Sequence, residues 1–477
     1  MQTSALYLNG EWVTTSTTRP VLNPATGEVV GTMSVADRAR VAQALDDAHA
    51  AYPAWRALPA KSRGQYLHRI ADQLEQRTDE IARLITLENG KPMGQAKGEI
   101  AMSVDHLRWF AEEARRSYGR VVPHQVDGKR HLVLKSPIGV VGAISPWNFP
   151  LVLAVRKVAP ALAAGCPVVL KPAAQTPLCA VAFAECVHAA GLPKGVFQLI
   201  LAPAADVGAE FLANPKCRKI TFTGSTEVGR LLIAGAAETV KPLSLELGGQ
   251  APVLVFDDAD LARTVEGVII AKFRNTGQSC IAANRIYVQA GIYDRFVAAL
   301  VERVGQLKTG NGLEPGMDVG PLIDQAGLDK AVAHVRDAVA QGARLLAGGE
   351  ALPGSGYFLP PTVLAEVPAH ALCMQEETFA PVAAIAKFST EAEGIALANG
   401  SIFGLSAYVF TENLDRALRV VEQLEAGTIG LNDGVPTTSN CPFGGVKQSG
   451  WGRELGSEGL DAFLETKHVS ISLSSGL

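Results

Sequence analysis

Cysteine is scarce: the chain has seven in 477 residues, an odd number, with no C-x-x-C spacing and no paired histidines nearby. This argues against both a disulfide framework and a zinc site, so reduced thiols are expected, one of which could serve as a nucleophile. Long apolar runs are missing as well, since none reaches the roughly 18 residues needed to cross a bilayer. The opening "MQTSALYLNGEWV" lacks the basic and apolar regions of a secretory leader, and a cytoplasmic protein is expected. Charge of one sign is also lacking. The net charge is −4 with acidic and basic residues interspersed, which gives neither a nucleic-acid stripe nor a polybasic membrane patch. The expected partner is therefore a small molecule.

What is present is apolar content and length. At 48% hydrophobic, 477 residues exceed a single core, so about two or three domains are expected. Residues 35 to 118 read as amphipathic helices broken at "LPAKS" and "ENGKP". From "SPIGVVGAIS" onward, short Val/Ile/Leu runs ("VVGAI", "PVVLK", "VFQLI", "RKITF") alternate with helical segments, which predicts a parallel sheet with crossover helices. A second such series starts near "LELGGQAPVLVF" and ends near "TIGLND". "KRHLVLKSP" and "TKHVSISLS" alternate and fit neither series, so they read as edge strands that pair outside both.

Four stretches carry candidate chemistry. In "FRNTGQSC", Cys280 follows a polar approach through Gly277, Gln278 and Ser279 that reads as flexible, and "IAANR" after it is positioned to open a helix whose amides would favour a thiolate. The alternative is an inert buried thiol. None of the nine histidines lies in a comparable glycine-rich loop, so the better partner is Glu246 in "LSLELGG", a carboxylate in an apolar run with a raised pKa expected. Its alternative is an edge-strand glutamate facing water. In "ISPWNFP", Asn148 is either a turn former or, in that stiff setting, a fixed amide donor for an oxyanion. "ITFTGSTEVG" places Gly224, Ser225 and Thr226 between a strand and a helix starting near Glu227. It fails G-x-G-x-x-G, yet leaves free amides for a diphosphate. Lys171 in "VVLKPA" ends a buried strand, where open α/β sheets bind ligands, although a lysine there is usually solvated.

Taken in order, "SPWNFP", "KPA", "FTGSTEVG", "LELGGQAP", "GQSC", "EETFAPV" and "PFGGVKQSG" resemble the motifs of the NAD(P)-dependent aldehyde dehydrogenase superfamily, from "LNGEW" to the last strand. The resemblance implies an α/β fold: a Rossmann-like cofactor domain (1–118 and 138–246), a second α/β catalytic domain (247–436) and a small β oligomerisation element (119–137 and 459–477). It implies Cys280 as nucleophile, Glu246 as general base, and Asn148 with the Cys280 amide as oxyanion hole. Cofactor contacts are implied for Ile144, Ser145, Pro146, Trp147, Lys171, Ala174, Gly224, Ser225, Val228, Leu247, Glu377 and Phe379. Phe149 and Phe443 are implied to line the aldehyde tunnel, and no metal is implied. A CoA-acylating relative would not need Glu246, and a silent homologue would be expected to have lost Cys280, Glu246 or Asn148.

Arg156 and Arg274 fall at tunnel positions that are often aromatic in members acting on apolar aldehydes. Either they are surface cations or they face an anionic tail. The pair resembles the succinate semialdehyde dehydrogenase branch, with Thr437 in place of that branch's common serine and Ala282 in place of a second cysteine. Glutarate or 2-oxoglutarate semialdehyde and broad aldehyde use stay open. Ala174 stands where NAD-preferring relatives often carry a glutamate, so NADP is expected to be preferred, with NAD also accepted. A homodimer or homotetramer is expected.

Overall fold

The structure, a computed structural model, describes residues 3–473. Residues 1–2 and 474–477, at the ends of the expected cofactor domain and bridging element, lie outside the described residues.

Four helices lead the chain into its first sheet: α1 (Arg38–Ala57), α2 (Ala60–Gln76), α3 (Thr78–Asn89) and α4 (Met93–Glu113). Local chemistry sets their ends. The Asp37 carboxylate caps α1 through the Arg40 amide at 2.9 Å, Pro59 and Pro92 precede α2 and α4, and α3 stops at Gly90, whose φ of +91° is left-handed. The breaks at "LPAKS" and "ENGKP" fall where expected, and a further break at Arg77 separates α2 from α3.

Helices α5 (Val152–Ala164), α6 (Leu178–Ala189), α7 (Ala204–Ala213) and α8 (Thr226–Ala236) follow. They alternate with parallel strands lying side by side in the order Leu243–Glu246, Cys217–Thr223, Val140–Ile144, Val168–Lys171 and Phe197–Leu199. Antiparallel edges close this eight-stranded sheet: Gly450–Trp451 on one side, Leu6–Leu8 and Glu11–Val13 on the other. Every residue of α5 is buried, Arg156 and Lys157 included, so this helix runs through the core.

Helix α9 (Leu261–Phe273) belongs to the second series. Its sheet has seven strands in the order Arg344–Ala347, Thr362–Ala365, Val382–Phe388, Ala283–Gln289, Ala251–Val255, Ser406–Phe410 and Thr428–Leu431, all parallel except the first. The two leftover segments pair with each other. Leu464–Ser472 runs antiparallel to Lys129–Pro137, which also pairs with Arg120–Val122, in a separate three-stranded sheet.

One expectation fails beside the thiol. "IAANR" opens no helix: after a turn, Ala283–Gln289 is a strand of the second sheet. Its apolar alternation, with Ile286 and Val288 on the core face, outweighs the helix-compatible Ala282–Ala283 pair. No helix dipole therefore acts on Cys280 from that side.

Candidate active site

Strand register brings the first group of residues together. Ile144 lies opposite Lys171 and Phe222, and Thr223 lies opposite Glu246, so four neighbouring parallel strands end at one rim. Such a rim is where open α/β sheets take ligands. Ser145, Pro146, Trp147, Asn148 and Phe149 follow one strand, Ala174 follows another, and Gly224 and Ser225 lead into α8. A side chain at Gly224 would meet the Phe222 ring at 2.3 Å, so the turn requires glycine. Ser225 caps α8 through the Val228 amide at 3.4 Å, which leaves other first-turn amides free to bind an anion. Val228 and Leu231 expose an apolar face of the same helix.

Opposite this rim, the Glu377 carboxylate accepts from the Gly249 amide at 3.1 Å, and burial pushes its pKa up to about 7. Phe379, held at φ +55°, meets Trp147 edge-on at 5.5 Å. Burial lowers the Lys171 ammonium to about 8. Leu247 packs with Phe222 and Leu245 under α8. The Ser145 hydroxyl is buried with no protein partner. Anion-ready amides, an edge-on aromatic pair beside the rim and an unpaired hydroxyl fit a dinucleotide.

Cys280 sits where the two sheets meet, after a rigid loop, which corrects the flexible approach expected from "TGQS". Asn275, Thr276 and Gly277 all have positive φ, at +52°, +58° and +70°. For a β-branched threonine this is strained and must be held from outside. The Thr276 hydroxyl donates to the Gly320 carbonyl at 3.1 Å, the Gln278 side-chain oxygen accepts from the Ile323 amide at 2.9 Å, and the Asn275 amide nitrogen donates to the Asn148 carbonyl at 2.8 Å. A Cβ on Gly277 would sit 2.2 Å from the Ala380 carbonyl, and one on Gly249 would sit 2.2 Å from the Cys280 carbonyl.

The thiol is half-buried but closely surrounded. Desolvation first, then the Glu377 and Glu246 carboxylates, push its pKa up to about 12, against the pull of Arg156. The resting group is therefore a thiol that needs a proton acceptor. Among the described residues its backbone N–H donates to no carbonyl. The Asn148 side chain donates to the Gln278 carbonyl at 3.2 Å, while its oxygen has no protein partner.

Glu246 is buried, so the water-facing alternative falls. One of its carboxylate oxygens lacks a partner, and a Cβ on Gly444 would lie 2.7 Å from the other. Its pKa is raised well above the ordinary carboxylate value by desolvation and then by Glu454, with Lys157, Arg156 and Arg453 opposing. Lys157 pairs with Glu454 at 2.6 Å and with the Thr223 hydroxyl at 2.6 Å. Sequence reasoning missed this pair. Its signal was a second charge, next to Arg156, inside a helix otherwise apolar on all sides.

A cleft opens at Cys280, with about 430 Å³ of empty space, its mouth included. Phe149, Arg156, Arg274, Thr437 and Phe443 all line it, together with Met102, which the sequence did not single out. Both arginines are withdrawn from bulk solvent, and burial lowers the pKa of each. Among the described residues neither makes an ion pair, and the Arg156 Nε has no partner. Each rests on an aromatic ring instead: Arg156 at 4.9 Å from the Phe443 centroid, Arg274 at 5.4 Å from that of Phe149.

A parallel sheet with an anion-ready rim, set against a thiol and a buried carboxylate, has the make-up of an enzyme site. The sequence signature of the Aldehyde dehydrogenase family matches residues 12–469, and the chain belongs to that family. It is 49% identical over 467 residues to the glutarate-semialdehyde dehydrogenase of Pseudomonas aeruginosa, covering 98% of this chain and 97% of the relative. It is 48% identical over 469 residues to the NADP-dependent succinate-semialdehyde dehydrogenase of Escherichia coli, with 98% and 97% covered. The crystal structure of an NADP-dependent enzyme of E. coli superposes at a TM-score of 0.98 with 47% identity, covering 98% of each chain. The protein is an aldehyde dehydrogenase.

Proposed function

We propose that this dehydrogenase acts on aldehydes with an anionic tail, succinate semialdehyde first, with Cys280 as nucleophile, Glu246 as base and Asn148 as oxyanion donor. The observation that carries the substrate reading is the pair of cleft guanidiniums with no carboxylate partner. Burying a charge without a counter-ion is costly, and a substrate carboxylate bound between them would remove that cost. Thr437 lines the same cleft, and its hydroxyl is a further donor for the same carboxylate. Glutarate semialdehyde is the second reading, supported by the P. aeruginosa relative at equal closeness.

In this mechanism Cys280 adds to the aldehyde carbon, forming the C–S bond as the carbonyl π bond opens onto oxygen and the thiol proton passes to water in the cleft. The developing oxyanion is held by the Cys280 N–H and the Asn148 side-chain amide. Preorganised donors of this kind contribute about 3 to 4 kcal/mol each. A nicotinamide held at the rim by Glu377 and Phe379 would supply the hydride acceptor for the oxidation from thiohemiacetal to thioester. Glu246 then takes a proton from water, which attacks the thioester, and Cys280 leaves as the thiol.

Arg156→Ala or Arg274→Ala is expected to raise KM for succinate semialdehyde by the equivalent of about 1.5 to 3 kcal/mol, with a smaller change for an uncharged aldehyde of similar length. Equal effects on both substrates would make the arginines structural. A panel of four- and five-carbon semialdehydes compared by kcat/KM decides chain length.

The reading extends to the cofactor and the assembly. NADP is favoured because Ala174, in the turn after Lys171, presents no carboxylate to repel a 2′-phosphate, and the Lys171 cation is close in sequence. Ala174→Glu should move the kcat/KM ratio toward NAD by about tenfold, and an unmoved ratio means this position does not set cofactor choice. Residues 1–118 and 138–246 are assigned to a cofactor-binding domain and 247–436 to a catalytic domain, with Asn148 and Glu246 of the first serving catalysis and Glu377 and Phe379 of the second serving the cofactor. The three-stranded sheet, with its open edges, is assigned to joining subunits in a homodimer or homotetramer. Sedimentation as a monomer would overturn that assignment.

A further inference from the structure

The turn between α3 and α4, read from sequence only as a helix break, reaches into the active site. The Asn89 side chain donates to the Trp147 carbonyl at 3.0 Å. The Lys91 ammonium donates to the Asn148 carbonyl at 2.8 Å and pairs with Glu99 at 2.5 Å, both side chains being fully buried. It also stands 4.1 Å from the centroid of the Phe149 ring, the same ring on which Arg274 rests. The other Glu99 oxygen accepts from the Leu151 and Val152 amides at 2.9 and 3.2 Å, where α5 begins.

The turn itself is clamped. A Cβ on Gly312 would lie 2.6 Å from the Lys91 carbonyl, and one on Gly320 would lie 2.2 Å from the Gly90 carbonyl. Because the backbone is fixed from that side, the ammonium has a fixed place relative to Asn148. A buried ion pair is a poor way to gain stability, since an apolar pair of similar volume does as well or better. An apolar pair cannot donate to a carbonyl or place a cation over an aromatic ring.

We infer that Lys91, held by Glu99, is a positioning residue for aldehyde oxidation: one buried cation fixes both the Asn148 oxyanion donor and the Phe149 ring that supports Arg274. The inference rests on the roles given above to Asn148 and Arg274. Asn275 is the second donor to the Asn148 carbonyl, so loss of Lys91 leaves that carbonyl half-held rather than free.

The test is the length-matched pair K91M/E99Q, which removes both charges while the amide oxygen at position 99 still accepts from the start of α5. The folded variant should lose kcat by about tenfold or more with succinate semialdehyde and with an uncharged aldehyde alike. KM should rise for succinate semialdehyde only. Alkylation of Cys280 by iodoacetamide, which forms no oxyanion, should keep its wild-type rate. E99Q alone leaves the buried ammonium without its counter-ion, so it should lose kcat as well. Wild-type kcat in the folded pair variant overturns the inference, as does a parallel loss of alkylation rate. If K91M/E99Q does not fold, K91L/E99Q carries the same outcomes. Asn148→Ala measured alongside separates the two levels: if it retains kcat, the oxyanion reading fails, whereas loss there with none in the pair variant rejects only the role of Lys91.

Discussion

Cys280→Ala should reduce aldehyde oxidation by about ten-thousandfold or more while leaving dinucleotide affinity within about twofold. The large effect follows because no other thiol can take over. Five of the remaining six cysteines are buried, and the exposed one, Cys441, does not line the cleft. The small effect follows because the groups fitted to a dinucleotide lie on the strand-end rim, in the first turn of α8 and on Glu377 and Phe379, and none depends on the Sγ atom. Alanine keeps the backbone N–H and the left-handed 275–277 turn, so the loop should hold its shape. Steady-state turnover and calorimetric titration with NADP and NAD check both halves. Substantial remaining turnover would remove Cys280 as nucleophile, and lost binding would show that the thiol supports the cofactor site.

The resting thiol, held near 12, also explains why the site needs more than a cysteine. Burial raises it most, and then Glu377 and Glu246, the carboxylates proposed above to bind the cofactor and to act as base, so the arrangement favours a neutral thiol until a proton acceptor engages it. An exposed, low-pKa thiolate would alkylate and oxidise readily. Cys280 lacks that character in the resting structure.

Much of this was legible along the chain because the informative residues sit at the ends of recognisable strands. Lys171 and Glu246 each close an apolar run, and period and turn residues located them without knowledge of the partner strands. The charged residues of α5 were legible in part: Arg156 was singled out through resemblance, while its neighbour Lys157 was passed over. What local pattern could not supply was pairing across long sequence separation. Glu454 reaches Lys157 from 297 positions away, and the 89–91 turn reaches Asn148 from 57. The strain at Asn275 and Thr276 was hidden for a related reason. Neither residue advertises positive φ, and the conformation exists only because carbonyls and amides from Asn148, Gly320 and Ile323 hold it. The expected helix after Cys280 failed because a two-alanine start is weak evidence against the strand-forming run Arg285–Gln289 that follows.

Glu246→Gln should separate the two halves of the reaction. Gln is nearly isosteric, so the cleft and the Cys280 loop should persist, but an amide cannot take a proton from water. The variant is expected to release about one NAD(P)H per active site in a burst and then turn over about a hundredfold more slowly or worse, because hydrolysis of the thioester has lost its base. Rapid-mixing absorbance at the reduced nicotinamide band reads both phases. The pH dependence supplies a second check whose sign is fixed by the surroundings of the carboxylate. Burial and Glu454 raise its pKa in the folded protein, so it stays protonated to a higher pH than an ordinary glutamate and gains its basic form as pH rises. Where deacylation limits turnover, wild-type kcat should therefore increase from the acidic side through that raised pKa, and the increase should vanish in the glutamine variant. A burst that disappears with the substitution would mean that Glu246 also accepts the thiol proton, a role that the high resting pKa of Cys280 makes chemically available. A steady-state rate close to wild type would instead leave water activation to another group, and the Lys157–Glu454 pair is the nearest alternative that the structure offers.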